Sequence, residues 1–177
     1  MKLTPDAEQK LYFQDYKPQA LLADVKHIPL KKHRALEGWF MEHLRLSEGK
    51  VEGLDKPFEL RQLSLSKAEA HRLNAFHIHP KRTQDELWCV IEGRLKVWLV
   101  DVRQDSATCG NKRPFILDSE EPALLYIPSG VAHGYKAGPK GATLLYAMND
   151  QFNLQDPNEG RLPWDYFGQD LWEEDKG

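Results

Sequence analysis

The chain has 177 residues, a formal net charge of −3 and two cysteines, and this length suggests one domain that buries a core without a disulfide or metal staple. Its charges are interspersed, with no basic stripe for nucleic acid and neither a polybasic nor an 18-residue apolar run for a membrane, so we expect neither partner. Cys89 and Cys109 have no CxxC spacing and residues 1–10 lack the apolar region of a signal peptide, which predicts a cytoplasmic protein with reduced thiols.

The first third of the chain predicts few regular elements. Residues 1–35 are polar and contain three prolines, which is typical of an arm over the surface. Residues 38–46 and 58–66 alternate between apolar and polar side chains as strands do, and residues 47–57 between them, with two glycines, predict a loop. Residues 67–72 predict either one helical turn or a polar turn.

The next stretch carries the densest group of candidate functional side chains. If residues 75–79 form a strand, His77 and His79 point to the same face of it. A second strand is predicted to begin at Glu86, after a polar turn, and to close at residues 92–93 with a hairpin signal. Two histidines and a glutamate would then lie near one another on neighbouring strands.

The remainder of the chain alternates more clearly and is divided by glycine and proline. The predicted strands are residues 94–103, 115–117, 123–127, 131–135 and 142–148, with turns at residues 118–122, 128–130 and 138–141. Many short strands with almost no helical periodicity predict an all-β barrel or jelly roll. The prediction is a single domain over residues 1–177, with the arm, the jelly roll at about 36–150 and a C-terminal segment over 151–177.

Residues 128–133 place a histidine, His133, on the strand that leaves a tight turn, in a PxGxxH pattern. Together with His77, His79 and Glu86 they resemble the two motifs of the cupin superfamily, whose fold is a double-stranded β-helix of jelly-roll type. The match has two departures. Seven residues separate His79 from Glu86 where cupins have four or five, and Ala137 stands where an asparagine is common.

A closer resemblance covers the chain from Glu37 to Trp172. It is carried by residues 38–42, 62–66, 76–77, 100–103, 106–110, 126–135 and 145–146, with Asp165 and Trp172. These stretches, including DxRxxSxTxG and IPxGxAHG in that order, resemble the dTDP-4-dehydrorhamnose 3,5-epimerase family within the cupins. The resemblance implies that His77 is a general base, Tyr146 a proton donor and Asp165 the residue that orients the histidine.

These residue types suit the implied chemistry. A proton next to a ketone needs a base tuned near neutrality, and histidine is the side chain closest to that value. Asp165 would stabilise the imidazolium, and Tyr146 would return a proton from the opposite face. Two alternatives stay open: Tyr146 as an ordinary core tyrosine and Asp165 as an exposed loop residue.

Substrate contacts are predicted for His133, Gln84 and Trp39. For Trp39 the reason is that an indole can stack on a sugar ring. The family's arginines before the first motif strand and three residues before the histidine are replaced here by Glu37 and Asn74. Arginines of that kind bind diphosphate, so their loss weakens the case for a nucleotide-linked substrate.

Two further departures introduce metal-ligand types. His79 stands where the family has glutamine, and Glu86 stands where it has a lysine placed to stabilise an enolate. With His133 they make a set suited to Zn, Mn, Ni or Fe(II), and His77 would be either a fourth ligand or the free base. The alternative is that Glu86 merely pairs with an adjacent histidine.

The leading prediction is a homodimeric cupin that acts as an epimerase or isomerase on a keto-sugar or nucleotide-sugar and requires no cofactor. A metal-dependent cupin enzyme, such as a dioxygenase, is one alternative, and bound iron with oxygen-dependent turnover would support it. A non-catalytic carbohydrate-binding cupin is the other, and ligand binding without proton exchange would support that.

Overall fold

The computed structural model describes residues 1–14, 16 and 18–174. The predicted arm and C-terminal segment include residues 15, 17 and 175–177, which lie outside the described residues. Strands dominate the described part of the chain, which confirms the all-β prediction. No helix within it is long and apolar enough to cross a membrane.

The helices and strands follow the chain in a simple order. They are α1 (Pro5–Lys10), β1 (Lys26–Pro29), β2 (His33–Ala35), β3 (Gly38–Phe40), β4 (Leu46–Ser47), β5 (Lys50–Val51), β6 (Gln62–Ala68), β7 (Leu73–Ile78), β8 (Glu86–Asp101), β9 (Lys112–Asp118), β10 (Ala123–Ile127), β11 (Val131–Met148), β12 (Gly160–Arg161) and a 3₁₀ helix (Gln169–Trp172). Eight of these strands form one antiparallel sheet, while β2–β3 and β4–β5 are separate small hairpins.

Two long strands, β8 and β11, form the centre of the large sheet. They pair antiparallel from Val131↔Asp101 to Met148↔Glu86. Each long strand changes partner along its length: β11 pairs first with β7 and then with β6, and β8 pairs first with β10 and then with β9. The two halves of the β8–β11 pair therefore belong to different parts of the sheet.

The predicted turns at residues 92–93 and 138–141 were wrong as turns, because both lie inside continuous strands. The β8–β11 register shifts between Ala137 and Ala142, opposite Gly93, which has φ +75°. A Cβ at Gly93 would lie 2.2 Å from the backbone oxygen of Gly141, so only glycine allows the two backbones to approach this closely. The glycines mark a bend across both strands.

Other predicted boundaries moved where tertiary contacts are few. The strand predicted over residues 38–46 shortens to β3, which pairs only with β2 in an exposed hairpin. The strand predicted at 58–66 begins at Gln62, where pairing with β11 starts, and residues 67–72 form the end of β6 and a polar turn. The loop predicted at 47–57 contains the short β4–β5 hairpin.

Alternation on β7 determines which of its side chains face the core. Phe76 is completely buried in a cluster with Leu171 and Trp172, which packs the C-terminal segment against this face of the strand. His77 consequently points to the opposite face. Trp88 and Tyr135 belong to the largest core cluster and support that second face.

A buried carboxylate closes the connection between β8 and β9. Asp101 is 0% exposed and accepts hydrogen bonds from Arg103 Nε at 2.9 Å and from the hydroxyls of Ser106 and Thr108. Arg103 Nη2 donates to the backbone oxygen of Ala23, and Thr108 Oγ1 accepts from its backbone nitrogen, both at 2.8 Å. Burial alone would raise the pKa of Asp101, but these hydrogen bonds hold it well below its usual range. The DxRxxSxTxG stretch therefore has a structural role.

We expect Asp101→Asn to lower the free energy of unfolding near pH 7 by about 3 kcal/mol, since Arg103 would lose its buried countercharge. The depressed pKa means that the carboxylate stabilises the fold above its unfolded pKa of about 3.9 and that this contribution is lost as the pH falls below that value. Denaturant unfolding should therefore show a smaller difference in stability between the wild type and Asp101→Asn near pH 3 than near pH 7. The exposed Asp105→Asn is the control and should change stability by less than about 0.5 kcal/mol. A wild-type stability for Asp101→Asn at neutral pH would contradict the assignment.

Candidate active site

A cavity of about 360 Å³ opens between β6, β7, β8 and β11. Its lining residues are Gln62, Ser66, Asn74, His77, His79, Gln84, Glu86, Trp88, His133, Tyr135, Leu144, Tyr146, Met148, Gln151, Phe152, Asn158 and Glu159. The lining combines apolar side chains with converging polar groups, the composition expected of a small-molecule site. It brings together most of the residues that the sequence analysis singled out.

His77 lies on the cavity face of β7. Its Nε2 is 3.0 Å from Asn74 Oδ1, and Arg161 Nη1 donates to the same oxygen at 3.1 Å. That oxygen is an acceptor, so Nε2 carries the proton and Nδ1 carries the lone pair. Burial, reinforced by the neighbouring His133, lowers the pKa of His77 to about 4. The imidazole is therefore neutral near pH 7 and able to accept a proton.

Glu159, and not Asp165, is the acid beside His77. Glu159 Oε1 lies 3.7 Å from His77 Nδ1, whereas Asp165 is exposed in a turn before the 3₁₀ helix and lies outside the cavity lining. Pairing of β12 with β7, Arg161 opposite His77, brings residue 159 next to the histidine. The prediction that Asp165 orients the histidine does not agree with this placement.

Tyr146 contributes a phenol to the cavity from the second half of β11. It lies opposite Ser64 on β6 and Trp88 on β8, and it bonds to the Ser64 side chain. Burial raises the pKa of Tyr146, which keeps the phenol protonated. It also packs against the main core, so the residue combines the core role with a position in the cavity.

The three residues predicted to contact substrate have different positions. Gln84 and His133 line the cavity, and both are buried. Trp39 lies on the β2–β3 hairpin, 58% exposed, with Lys32 Nζ 5.0 Å from the centre of its ring. Trp39 is therefore not among the described residues that line the cavity.

His79, Glu86 and His133 form a buried cluster at one side of the cavity. Their ligand atoms all lie within 4.8 Å of one another. His79 Nε2 is 2.9 Å from Glu86 Oε1, and Trp88 Nε1 donates to Glu86 Oε2 at 2.6 Å. The geometry thus agrees with the prediction that Glu86 pairs with a histidine. It also agrees with the alternative that these three side chains are grouped as metal ligands.

The pKa values of this cluster shift in opposite directions. Burial alone would raise the pKa of Glu86, but the hydrogen bond from His79 and the charge of His133 lower it. Burial would lower the pKa of His79, yet its bond to Glu86 raises it overall. Burial lowers the pKa of His133. Without another cation, the cluster is an ion pair between His79 and Glu86 beside a neutral His133.

Sequence analysis missed Asn158 and Glu159. The backbone oxygen of Asn158 is 2.9 Å from His79 Nδ1, and its side-chain oxygen accepts from the backbone nitrogens of Lys81 and Arg82. Both residues lie in a polar stretch without periodicity, so no local signal distinguished them from a surface loop. Only the return of this stretch to β7 brings them to the cavity.

Among the described residues that line the cavity, none is a lysine or arginine. Its two acidic residues are Glu86 and Glu159. Arg161, an exposed residue, donates hydrogen bonds to two residues of the lining, Asn74 and Glu159. The described lining therefore offers no lysine or arginine to pair with a phosphate group.

Comparison with known proteins agrees with this architecture. A family profile described as dTDP-4-dehydrorhamnose 3,5-epimerase matches residues 19–166. The chain is 37% identical over 146 residues to the spore coat polysaccharide biosynthesis protein SpsL of Bacillus subtilis (strain 168), which covers 82% of this chain and 91% of that protein.

Two solved structures share the fold. One is a dTDP-6-deoxy-D-glucose-3,5-epimerase from Legionella pneumophila Philadelphia 1 in complex with dTDP-4-keto-L-rhamnose, 25% identical with a TM-score of 0.73 over 81% of this chain and 75% of that chain. The other is the dTDP-4-dehydrorhamnose 3,5-epimerase from Elizabethkingia anophelis NUHP1, 24% identical with a TM-score of 0.75 over 90% and 86%. The predicted cupin jelly roll is thereby confirmed. On the strength of the profile match and the Bacillus relative, the chain belongs to the dTDP-4-dehydrorhamnose 3,5-epimerase family.

Proposed function

We propose that this protein is a sugar epimerase that inverts a carbon next to the ketone of a keto-sugar. The observation that carries the proposal is the shared cavity of a neutral histidine, His77, and a protonated tyrosine, Tyr146. Deprotonation next to a carbonyl followed by reprotonation needs one base and one acid of these kinds. Membership of an epimerase family supports the same reaction.

The proposed reaction begins with proton transfer to His77 Nδ1. The C–H bond next to the ketone breaks, its electron pair moves to the carbonyl oxygen, and Glu159 stabilises the imidazolium that forms. Tyr146 then returns a proton to the same carbon. Because His77 is on β7 and Tyr146 on the half of β11 that pairs with β6, the two groups reach the cavity from different parts of the sheet.

A nucleotide-linked keto-sugar is the proposed substrate class. The Legionella structure contains dTDP-4-keto-L-rhamnose, which supports this class for a relative of the same fold. The keto-sugar would occupy the cavity, whose described lining contains no lysine or arginine. A diphosphate would lie outside the cavity, where Arg161 is the exposed cation at its edge.

We further propose that two chains form a homodimer. Leu36, Trp39 and Phe40 are exposed on or next to the β2–β3 hairpin, and Leu63 and Leu65 are exposed on β6. Exposed large apolar side chains of this kind are typical of an interface. A partner chain would also cover Trp39. Its indole would then lie at the interface, where it could contact a substrate.

Light scattering should give a dimer for the wild-type chain and a monomer for the double variant Leu63→Glu with Leu65→Glu, because charges would be buried at the interface. Ile116→Glu places the same charge at an exposed site on β9 and should leave the mass unchanged. A wild-type monomer at micromolar concentration would refute the dimer.

The catalytic assignment of His77 is tested by isotope exchange. A dTDP-linked 4-keto-sugar in heavy water should gain deuterium next to the ketone, and His77→Asn should slow this by about a hundredfold or more, because the base is removed. His71→Asn makes the same change at an exposed histidine in the turn before β7 and should exchange at the wild-type rate. Equal exchange by the wild type and His77→Asn would remove His77 from the mechanism.

The two candidate acids can be separated by matched substitutions. Glu159→Gln should lower kcat about tenfold with little change in KM, since it withdraws the charge that stabilises protonated His77. Asp165→Asn should keep wild-type kinetics, because the side chain is exposed outside the cavity lining. The reverse pattern would restore Asp165 and exclude Glu159.

A further inference from the structure

We infer that His79, Glu86 and His133 form a binding site for a divalent transition-metal ion at one side of the cavity. The three residues come from the position just after β7, the start of β8 and the first half of β11. All three are buried, with exposures of 8%, 4% and 2%. Their candidate ligand atoms all lie within 4.8 Å of one another.

The histidine tautomers follow from their backbone contacts. His79 Nδ1 is 2.9 Å from the backbone oxygen of Asn158, and His133 Nδ1 is 3.0 Å from the backbone oxygen of Val131. A carbonyl oxygen only accepts, so Nδ1 donates in both rings and Nε2 is left as the ligand atom. Histidines that bind metals are oriented by this kind of outer hydrogen bond.

Glu86 is held in the same manner. Trp88 Nε1 donates to Oε2 at 2.6 Å, and Gln84 Nε2 donates to Oε1 at 2.8 Å. These bonds fix the carboxylate plane while leaving lone pairs directed at the histidines. Residues outside the ligand set thus orient all three ligands before any ion arrives.

An ion satisfies this cluster better than the ion pair does. In its protonated form His79 donates a hydrogen bond from Nε2 to Glu86 Oε1, but His133 Nε2 lies 3.8 Å from Glu86 Oε2, beyond hydrogen-bond distance, and both of these atoms are acceptors. Lone pairs that face each other at this distance repel, and a cation between them turns the repulsion into attraction. A divalent ion would accept lone pairs from both histidines and from the carboxylate.

The dimensions are close to those of a metal centre. Metal–nitrogen bonds of about 2.0–2.1 Å place tetrahedral ligands about 3.4 Å apart. The observed separations of 2.9 Å and 3.8 Å bracket this value, and no pair of ligand atoms exceeds 4.8 Å. Small side-chain rotations would close the set.

His77 lies outside the ligand set. Its Nε2 is bonded to Asn74, so the structure favours the free base over the fourth ligand. Two imidazoles and one carboxylate with open positions towards the cavity suit Zn²⁺, Mn²⁺, Ni²⁺ or Fe²⁺. The ion would polarise the substrate ketone oxygen, a role for which the described residues of the lining include no lysine. That role rests on the proposed function, whereas binding of the ion does not.

Metal binding is tested on the purified full chain, first by elemental analysis and then by equilibrium dialysis against Zn²⁺ or Mn²⁺. The wild type should bind about one metal ion per chain. Excess Zn²⁺ should raise its Tm by several degrees or more. His79→Ala and Glu86→Gln should each weaken binding by about a hundredfold or more. His77→Asn, in the same cavity but outside the ligand set, should bind as the wild type does.

Three outcomes overturn the site. They are a wild-type chain that takes up neither ion, ligand variants that bind like the wild type, and a His77→Asn variant that loses metal as His79→Ala does. Co²⁺ absorption bands of the wild type provide a readout that needs no variant, so a variant that fails to fold does not block the test. Full epimerase activity after chelation would refute the catalytic role alone, while metal bound without any deuterium exchange would refute the proposed function alone.

Discussion

The bend in the β8–β11 pair is the constraint on which the rest of the molecule depends. Both strands run through it, and a Cβ on Gly93 would clash with the backbone oxygen of Gly141 across the pair, while a Cβ on Gly141 would clash with the backbone oxygen of Ala68 on β6. The strands can therefore exchange partners at the bend without ending. Glu86 and Tyr146 lie on one half of this pair and His133 on the other, and the bend brings all three to one cavity.

The buried carboxylate of Glu86 determines the electrostatics of the cavity. A charge with 4% exposure must be paired, and Trp88, Gln84 and His79 supply its hydrogen bonds. Because His79 is paired with Glu86 in this network, it is not available as the base that accepts the substrate proton. His77, held by Asn74 instead, remains neutral and available for proton transfer.

Two acidic networks in the chain serve different purposes. The carboxylate of Asp101 is surrounded by donors from its own connection and anchors the N-terminal segment, so it stabilises the fold. Glu86 faces a cavity and two histidines whose Nε2 atoms are free of backbone contacts. The contrast lies in the surroundings of each carboxylate, since Glu86 lines the cavity whereas Asp101 is enclosed by its own hydrogen-bond donors.

Sequence alone determined the features that depend on local alternation and on motif. Period-two alternation put His77 and His79 on one face, and the PxGxxH pattern delivered His133 to a strand, because both depend on neighbouring residues. Tertiary structure alone decided which acid lies beside His77. Glu159 reaches it through the pairing of β12 with β7, a contact between residues about eighty positions apart that no local pattern encodes. Tertiary structure also decided that both strands run on through the glycines at the bend. Glycine suits a turn and a bulge equally, and only the packing around it distinguishes the two.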